Sequence, residues 1–166
     1  MDPLKQRSRR MVDGSQEEAL KRALKFLGYR SRSEAEIRTK LTHCGFTNKT
    51  TETTLEKLRS LNLVNDEAFA RDWASGRVRS RGYGPLRVDM ELRRKGIPRP
   101  LIGTILKETF REEESKERAK TLLEKRFRGK DLTDAKLLRR AVAFLQRSGY
   151  SASVIAEVLR QPMDNQ

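Results

Sequence analysis

The sequence predicts an all-α protein, with three tandem three-helix repeats in an elongated, curved arrangement. Three observations carry that prediction. Apolar residues recur at intervals of three and four, as in Ala19, Leu20, Ala23, Leu24 and Leu27, whereas alternation of β-branched and polar residues persists nowhere. Gly45, Gly96 and Gly149 are spaced 51 and 53 residues apart. Each lies four residues after a leucine (Leu41, Leu92, Leu145) and just before a large apolar residue (Phe46, Ile97, Tyr150). Prolines avoid helix interiors: Pro85 and Pro98 stand where helices would begin, Pro100 falls in a first turn, and Pro3 and Pro162 lie at the chain ends.

Each element follows in order. Helices are expected over about residues 16–28, 33–44, 66–81 and 113–128. Ser31-Arg32-Ser33-Glu34-Ala35-Glu36 offers two overlapping capping boxes before the second of these. Asp66 is placed to cap the third, and Glu112-Glu113-Glu114 is an acidic cluster favoured at a helix start. Within each repeat the glycine ends one helix, because a left-handed terminal residue costs any side chain a Cβ clash. The next residue folds back as a hydrophobic contact and another helix starts within three residues. Thr47 and Ser151 occupy its N-cap position, with Pro98 as their equivalent. On a helix from Pro85, Val88 and Leu92 share one face while Leu86 and Met90 lie nearly opposite, so packing on two sides is expected. The boundaries are a basic flexible arm over 1–15, repeats over 16–65, 66–111 and 112–162, and a tail over 163–166. Stacked units of this size bury a face against each neighbour, which gives an extended body.

Composition narrows the function. The chain has 166 residues, too few for a large multidomain enzyme. Leu, Ile, Val and Phe total 38 residues, or 23%, just above the roughly 20% below which a highly charged chain stays unfolded. The longest apolar run, Ala141 to Leu145, falls far short of the roughly 18 residues that suggest a membrane span. Met1-Asp2-Pro3 leads into basic residues without an apolar stretch, so no secretory signal is expected and a cytoplasmic location is. The single cysteine, Cys44, excludes an internal disulfide and a paired-cysteine metal knuckle. His43, the only histidine, adjoins Cys44 on a predicted helix, where neighbouring side chains point apart. With no phosphate-cradling glycine loop, zinc set or serine elbow, the expectation is no enzyme, no cofactor and no metal. No surplus apolar stripe remains once the repeats pack, so a monomer is expected.

Charge points to an anionic partner. Lys plus Arg outnumber Asp plus Glu by 37 to 23, a net charge of +14. It divides as +2 over residues 1–15, +4 over 16–65, +5 over 66–111 and +3 over 112–166. Residues 77–99 hold eight basic residues, seven of them arginine, against Asp89 and Glu91, which makes +6 in 23 residues. Guanidinium forks engage phosphates or carboxylates bidentately, and a merely solvated helical face mixes signs. The candidate contacts are therefore Arg77, Arg79, Arg81, Arg87, Arg93, Arg94 and Lys95, with Tyr83 between two glycines either an exposed contact or a staple to Val88. Arg7, Arg9 and Arg10 in the N-terminal arm, and Arg32, are secondary candidates. Phe69, Trp73 and Arg77 form a four-residue-spaced row in which a cation–π contact is feasible, though Trp73 reads better as core than as a base-stacking platform.

Four stretches then resemble the RecX family, regulatory proteins of the RecA recombinase. Arg32-Ser33-Glu34-Ala35-Glu36-Ile37-Arg38-Thr39-Lys40-Leu41 is similar to its "RSExELRxKL" element. Leu63-Val64-Asn65-Asp66-Glu67-Ala68-Phe69-Ala70 is similar to its "hydrophobic-D-D-x-x-F-A" element, with Asn65 where an aspartate is frequent. Arg77 to Val88 resembles "R-x-x-x-x-G-x-G-P-x-R-I", and Glu91 to Ile97 "EL-x-x-K-G-I". The likeness covers roughly residues 17–110 well and the third unit only through its pattern.

The resemblance implies a curved helical modulator that binds in the groove of the filament formed by RecA on single-stranded DNA. It implies suppression of ATP hydrolysis, strand exchange and coprotease activity, by blocked filament growth or promoted disassembly, within DNA repair, recombination and the SOS response. Single-stranded DNA is the implied nucleic acid, with double-stranded DNA a second form. Two other readings fit the residues alone: a helical DNA- or RNA-binding protein acting directly, and an adaptor for acidic proteins.

Overall fold

The computed structural model describes residues 15–160. Among them there are nine α-helices and no strand. They are α1 (Gln16–Leu27), α2 (Glu34–His43), α3 (Asn48–Ser60), α4 (Asp66–Arg81), α5 (Pro85–Arg94), α6 (Arg99–Thr109), α7 (Glu112–Phe127), α8 (Ala135–Ser148) and α9 (Ala152–Arg160). They fall into three successive groups of three, and Gly45, Gly96 and Gly149 all adopt the expected positive φ, 92°, 76° and 94°. Each glycine's successor sends its N–H back to the leucine carbonyl five residues earlier: Phe46 to Leu41, Ile97 to Leu92 and Tyr150 to Leu145. The hydrophobic residue is thereby pinned over the helix end, and all three are buried.

The chain packs as two compact units that divide inside α4, between Phe69 and Ala70. The first holds α1–α3. Ala19, Ala23, Ile37, Leu41, Phe46, Leu55, Leu58 and Val64 form its core. Ser33 and Glu36 close a reciprocal capping box on α2, and Thr47 caps α3. The second expected box, from Ser31, is not made: Glu34 instead takes Arg59 at 2.7 Å.

Asp66 does not cap α4. Asn65 does, accepting from the Ala68 N–H at 2.9 Å, while Asp66 accepts from the Glu34 N–H at 2.8 Å and so satisfies an orphan donor at the start of α2. Burial pushes the Asp66 carboxyl up, and that hydrogen bond opposes the shift.

The second unit holds the rest of α4 with α5–α9. Val88, Leu92, Ile97, Ile102 and Ile105 are buried, as are Ala70 and Ala74 on α4. A separate cluster of Ala119, Leu123, Phe127, Ala141, Leu145, Tyr150, Ile155 and Val158 holds α7–α9 together. The expected two-sided packing of α5 is not found. Val88 and Leu92 are fully buried, but Leu86 and Met90 on the opposite face are 56% and 43% exposed.

The turn ahead of α5 meets the turn after α8. The Gly84 N–H donates to the Ser148 carbonyl at 2.8 Å, the Leu86 N–H to the Gly149 carbonyl at 3.0 Å, and the Tyr150 hydroxyl to the Gly82 carbonyl at 2.9 Å. Free N–H groups at the start of one helix thus meet free carbonyls at the end of another. The approach leaves no room for side chains, because a Cβ on Gly84 would lie 2.5 Å from the Gly149 carbonyl oxygen.

Candidate nucleic-acid interface

The basic segment is built on the last turns of α4, the turn at Gly82–Gly84, and α5. Glu91 organises it. This carboxylate, whose side chain is 14% exposed, accepts the Trp73 indole N–H at 3.0 Å and the Arg77 Nε–H at 2.7 Å, both on Oε2. Arg87 Nε lies 3.5 Å from Oε1 as an i, i+4 ion pair, but lacks hydrogen-bond geometry there. Two cations lie over the indole: Arg77 Cζ is 4.3 Å and Lys95 Nζ 4.6 Å from the ring centroid. Arg87 lies over the Tyr83 ring at 5.2 Å. Arg93 pairs with Asp89 one turn back, Nε to Oδ1 at 3.2 Å.

The predicted contacts therefore divide in two. Arg77, Arg87, Arg93, Lys95 and Tyr83 are engaged within the fold. Arg79, Arg81 and Arg94 are exposed and, among the described residues, have no carboxylate partner. Arg79 and Arg77 line an open hollow with Trp73, Gly76, Ser80 and Asp72. Tyr83 is half-buried beneath Arg87 rather than freely exposed. Trp73 is half-buried too, and its only polar atom is spent on Glu91.

Arg32 is placed differently. Its guanidinium stacks 3.9 Å over the Phe26 ring, its side chain is 15% exposed, and it lies 4.0 Å from Glu36. Burial and the nearby Arg30 charge lower its proton affinity. Arg7, Arg9 and Arg10 lie outside the described residues. Among the described residues no cluster of three or more His, Cys, Asp or Glu could hold a metal ion, and no helix is long and apolar enough to cross a membrane.

Glu91 was the component that charge counting passed over, whereas the Trp73–Arg77 cation–π contact allowed by their four-residue spacing is made. Glu91 was tallied as one of two acids diluting the stripe. Its spacing from Trp73 and Arg77, 18 and 14 residues, crosses a turn and so leaves no helical signature.

An all-helical repeat protein with an arginine-rich face, whose cations are partly locked and partly free, is the class that this fold and surface define. Family models match it in three pieces: RecX first three-helix domain at residues 19–58, second at 65–106 and third at 112–159. The chain belongs to the RecX family of regulatory proteins. Regulatory protein RecX of Mycobacterium ulcerans is 35% identical over 146 residues, covering 87% of this chain and 84% of that one. Regulatory protein RecX of Prosthecochloris aestuarii is 41% identical over 98 residues, 59% of this chain and 65% of that protein, just under two thirds of its length. A crystal structure of regulatory protein RecX superposes with a TM-score of 0.75 at 29% identity, covering 88% of this chain and 72% of that one. The crystal structure of RecX from Lactobacillus salivarius gives 0.76 at 22% identity, covering 87% and 94%, a likeness of fold. The third repeat, legible in the sequence only as a pattern, is matched by a family model like the other two.

Proposed function

We propose that this chain regulates the RecA recombinase, mainly as an inhibitor, by seating its arginine face in the groove of the filament on single-stranded DNA. Occupying that groove suppresses ATP hydrolysis, strand exchange and coprotease activity, by blocking filament growth or promoting disassembly. The work is binding rather than bond-making, and the chain acts as a cytoplasmic monomer without cofactor. Repeats over 16–65, 66–111 and 112–162 set the span.

The observation that carries this reading is the group of Arg79, Arg81 and Arg94, exposed and, among the described residues, without carboxylate partners, beside cations that are engaged within the fold. Phosphate is the ligand that suits guanidinium forks held in this state. Family membership supplies the regulatory context.

The test is a RecA ATPase titration on single-stranded DNA, at sub-stoichiometric and stoichiometric ratios, with the native chain and the Arg79→Glu/Arg94→Glu variant. Native chain inhibits and the variant loses most of that inhibition while keeping its helical circular dichroism. Inhibition by the variant equal to native would remove these arginines from the mechanism. Affinity for the assembled filament no better than for bare DNA would favour direct nucleic-acid binding over filament regulation.

A further inference from the structure

The third repeat holds a second concentration of positive charge that its summed charge conceals. Residues 125–147 contain eight basic residues against Asp131 and Asp134, again +6 in 23 residues. The repeat as a whole sums to +3 over 112–166 because Glu112, Glu113, Glu114 and Glu117 at the start of α7 cancel it.

In space the charges converge. Arg126, Lys130, Lys136, Arg139, Arg140 and Arg147 line a groove of about 390 Å³ between the end of α7 and the face of α8, and no carboxylate lines it. None of these six has an ion-pair partner among the described residues, whereas Arg22, Arg38, Arg59, Arg71 and Arg118 each hold a glutamate. The two nearby acids are occupied elsewhere. Asp131 accepts from the Thr133 N–H and hydroxyl, and Asp134 caps α8 through the Lys136 and Leu137 N–H groups.

The geometry is that of a track. Lys136, Arg139, Arg140 and Arg147 recur at three-, four- and seven-residue steps on one side of α8, and span about 16 Å along its axis. Ala143, midway along, lets a ligand approach the helix closely. The floor is apolar: Phe127, 5% exposed, meets Phe144 edge-to-face at 6.0 Å between centroids.

We propose that this groove is a second anion site, which takes the phosphodiester backbone of a single nucleic-acid strand and uses none of the residues of the repeat-2 arginine face. A row of this length matches several regularly spaced charges rather than one. Four of its six cations are arginine, which favours phosphate by bidentate geometry. The apolar floor suits the sugar and base surface that a single strand, unlike a duplex, leaves uncovered. The site stands on its own geometry, so it survives if the RecA reading fails.

The experiment is anisotropy of a fluorescent oligothymidylate titrated with the full chain from 50 to 300 mM salt. In Arg139→Ala/Arg140→Ala/Arg147→Ala the log–log salt slope falls by about 2, at about 0.7 per lost phosphate contact, and affinity at 0.1 M salt drops about 100-fold. Alanine at exposed helix positions keeps the helix, and the triple lysine variant, which keeps the charge, retains the native slope. A native slope in the alanine variant would overturn the proposal. So would unchanged binding to the oligonucleotide with lost binding to polyglutamate, which would make the groove an acidic-protein site. Failure of the RecA reading looks different: oligonucleotide binding responds as stated while ATPase inhibition does not.

Discussion

Substituting Gly84 by alanine tests the seam between the turn before α5 and the turn after α8. The backbone there has φ −82°, which any residue adopts, so the cost is one of space alone. An added Cβ would lie 2.5 Å from the Gly149 carbonyl oxygen, 2.7 Å from its carbon and 3.0 Å from Tyr150 Cδ1. Two of these three atoms are backbone and have no rotamer to retreat into.

Relieving the contact to van der Waals distance requires the seam to open by about 1 Å. That stretches the Gly84–Ser148 hydrogen bond from its present 2.8 Å, and the Leu86–Gly149 bond from 3.0 Å, beyond bonding range. Each is worth about 1 kcal/mol net, and up to about 3 if its buried partner is left unsatisfied. Alanine recovers about 0.4–1 kcal/mol by restricting the unfolded chain. The net loss is about 1–5 kcal/mol, a large part of the roughly 5–15 kcal/mol that holds a domain folded. Urea unfolding measures it, and hydrogen exchange at residues 84, 86 and 150 locates it. Gly103→Ala is the control, since a Cβ there meets nothing within 4 Å and lies in the interior of α6. It stabilises by about 0.5–1 kcal/mol. A Gly84→Ala loss under about 0.5 kcal/mol would refute the packing argument.

Two substitutions probe other contacts of the second unit. Glu91→Gln removes the carboxylate that Trp73, Arg77 and Arg87 share. Stability falls by about 1–2 kcal/mol as charge-assisted bonds become neutral ones, and the salt slope for single-stranded DNA steepens by about 0.7 for each arginine that turns outward. An unchanged slope would mean that those arginines never reach the ligand. Tyr150→Phe separates the seam's hydrogen bond from its burial. Burial raises the Tyr150 phenol to about 12, so its neutral form is the one the fold accepts. That stability is complete below pH 10 and lost as pH climbs from 10 to 12, by as much as about 2.7 kcal/mol. The phenylalanine variant is less stable by about 1 kcal/mol at pH 7, yet overtakes native chain in urea unfolding at about pH 10.7, where the native chain has lost that much, and leads it by more than about 1 kcal/mol at pH 12. Parallel declines in the two chains would exclude Tyr150 as the titrating group.

Helix positions were legible because local signals agree: Ser33 with Glu36, Thr47, Pro98 and three glycines each act within a few residues of their own helix. What escaped acts across the chain. Asp66 looked like a cap, but capping depends on a one-residue register that Asn65 satisfies, and its true partner is 32 residues away. Leu86 and Met90 were assigned a packing face on the assumption that apolar residues must be covered. Native surfaces carry many that are not. The concentration of basic residues over 77–99 is plain in the sequence, yet its division into paired and unpaired cations depends on where Glu91 and Asp89 sit. The third repeat's cations were lost to a sum over the whole repeat, although sequence alone shows Glu112–Glu117 at one end of α7 and Lys125–Lys130 at the other.

The family-like motifs and the free cations prove to be different residues. In the stretch resembling "R-x-x-x-x-G-x-G-P-x-R-I", the specified positions are Arg77, Gly82, Gly84, Pro85 and Arg87, and in "EL-x-x-K-G-I" they include Glu91, Leu92 and Lys95. These are the residues that pair with Glu91, flank Trp73, form the close seam or fill the core. Arg79, Arg81 and Arg94 occupy positions the motifs leave open. A pattern of this kind therefore specifies how α4, α5 and the turn between them are held, while the charge offered to a partner is set by residues the pattern does not fix. Two chains with the same frame then differ in salt-dependent affinity without differing in fold. It follows that Arg79→Ser/Arg94→Ser leaves the unfolding midpoint unchanged and flattens the salt slope, whereas Arg77→Ser lowers the midpoint first.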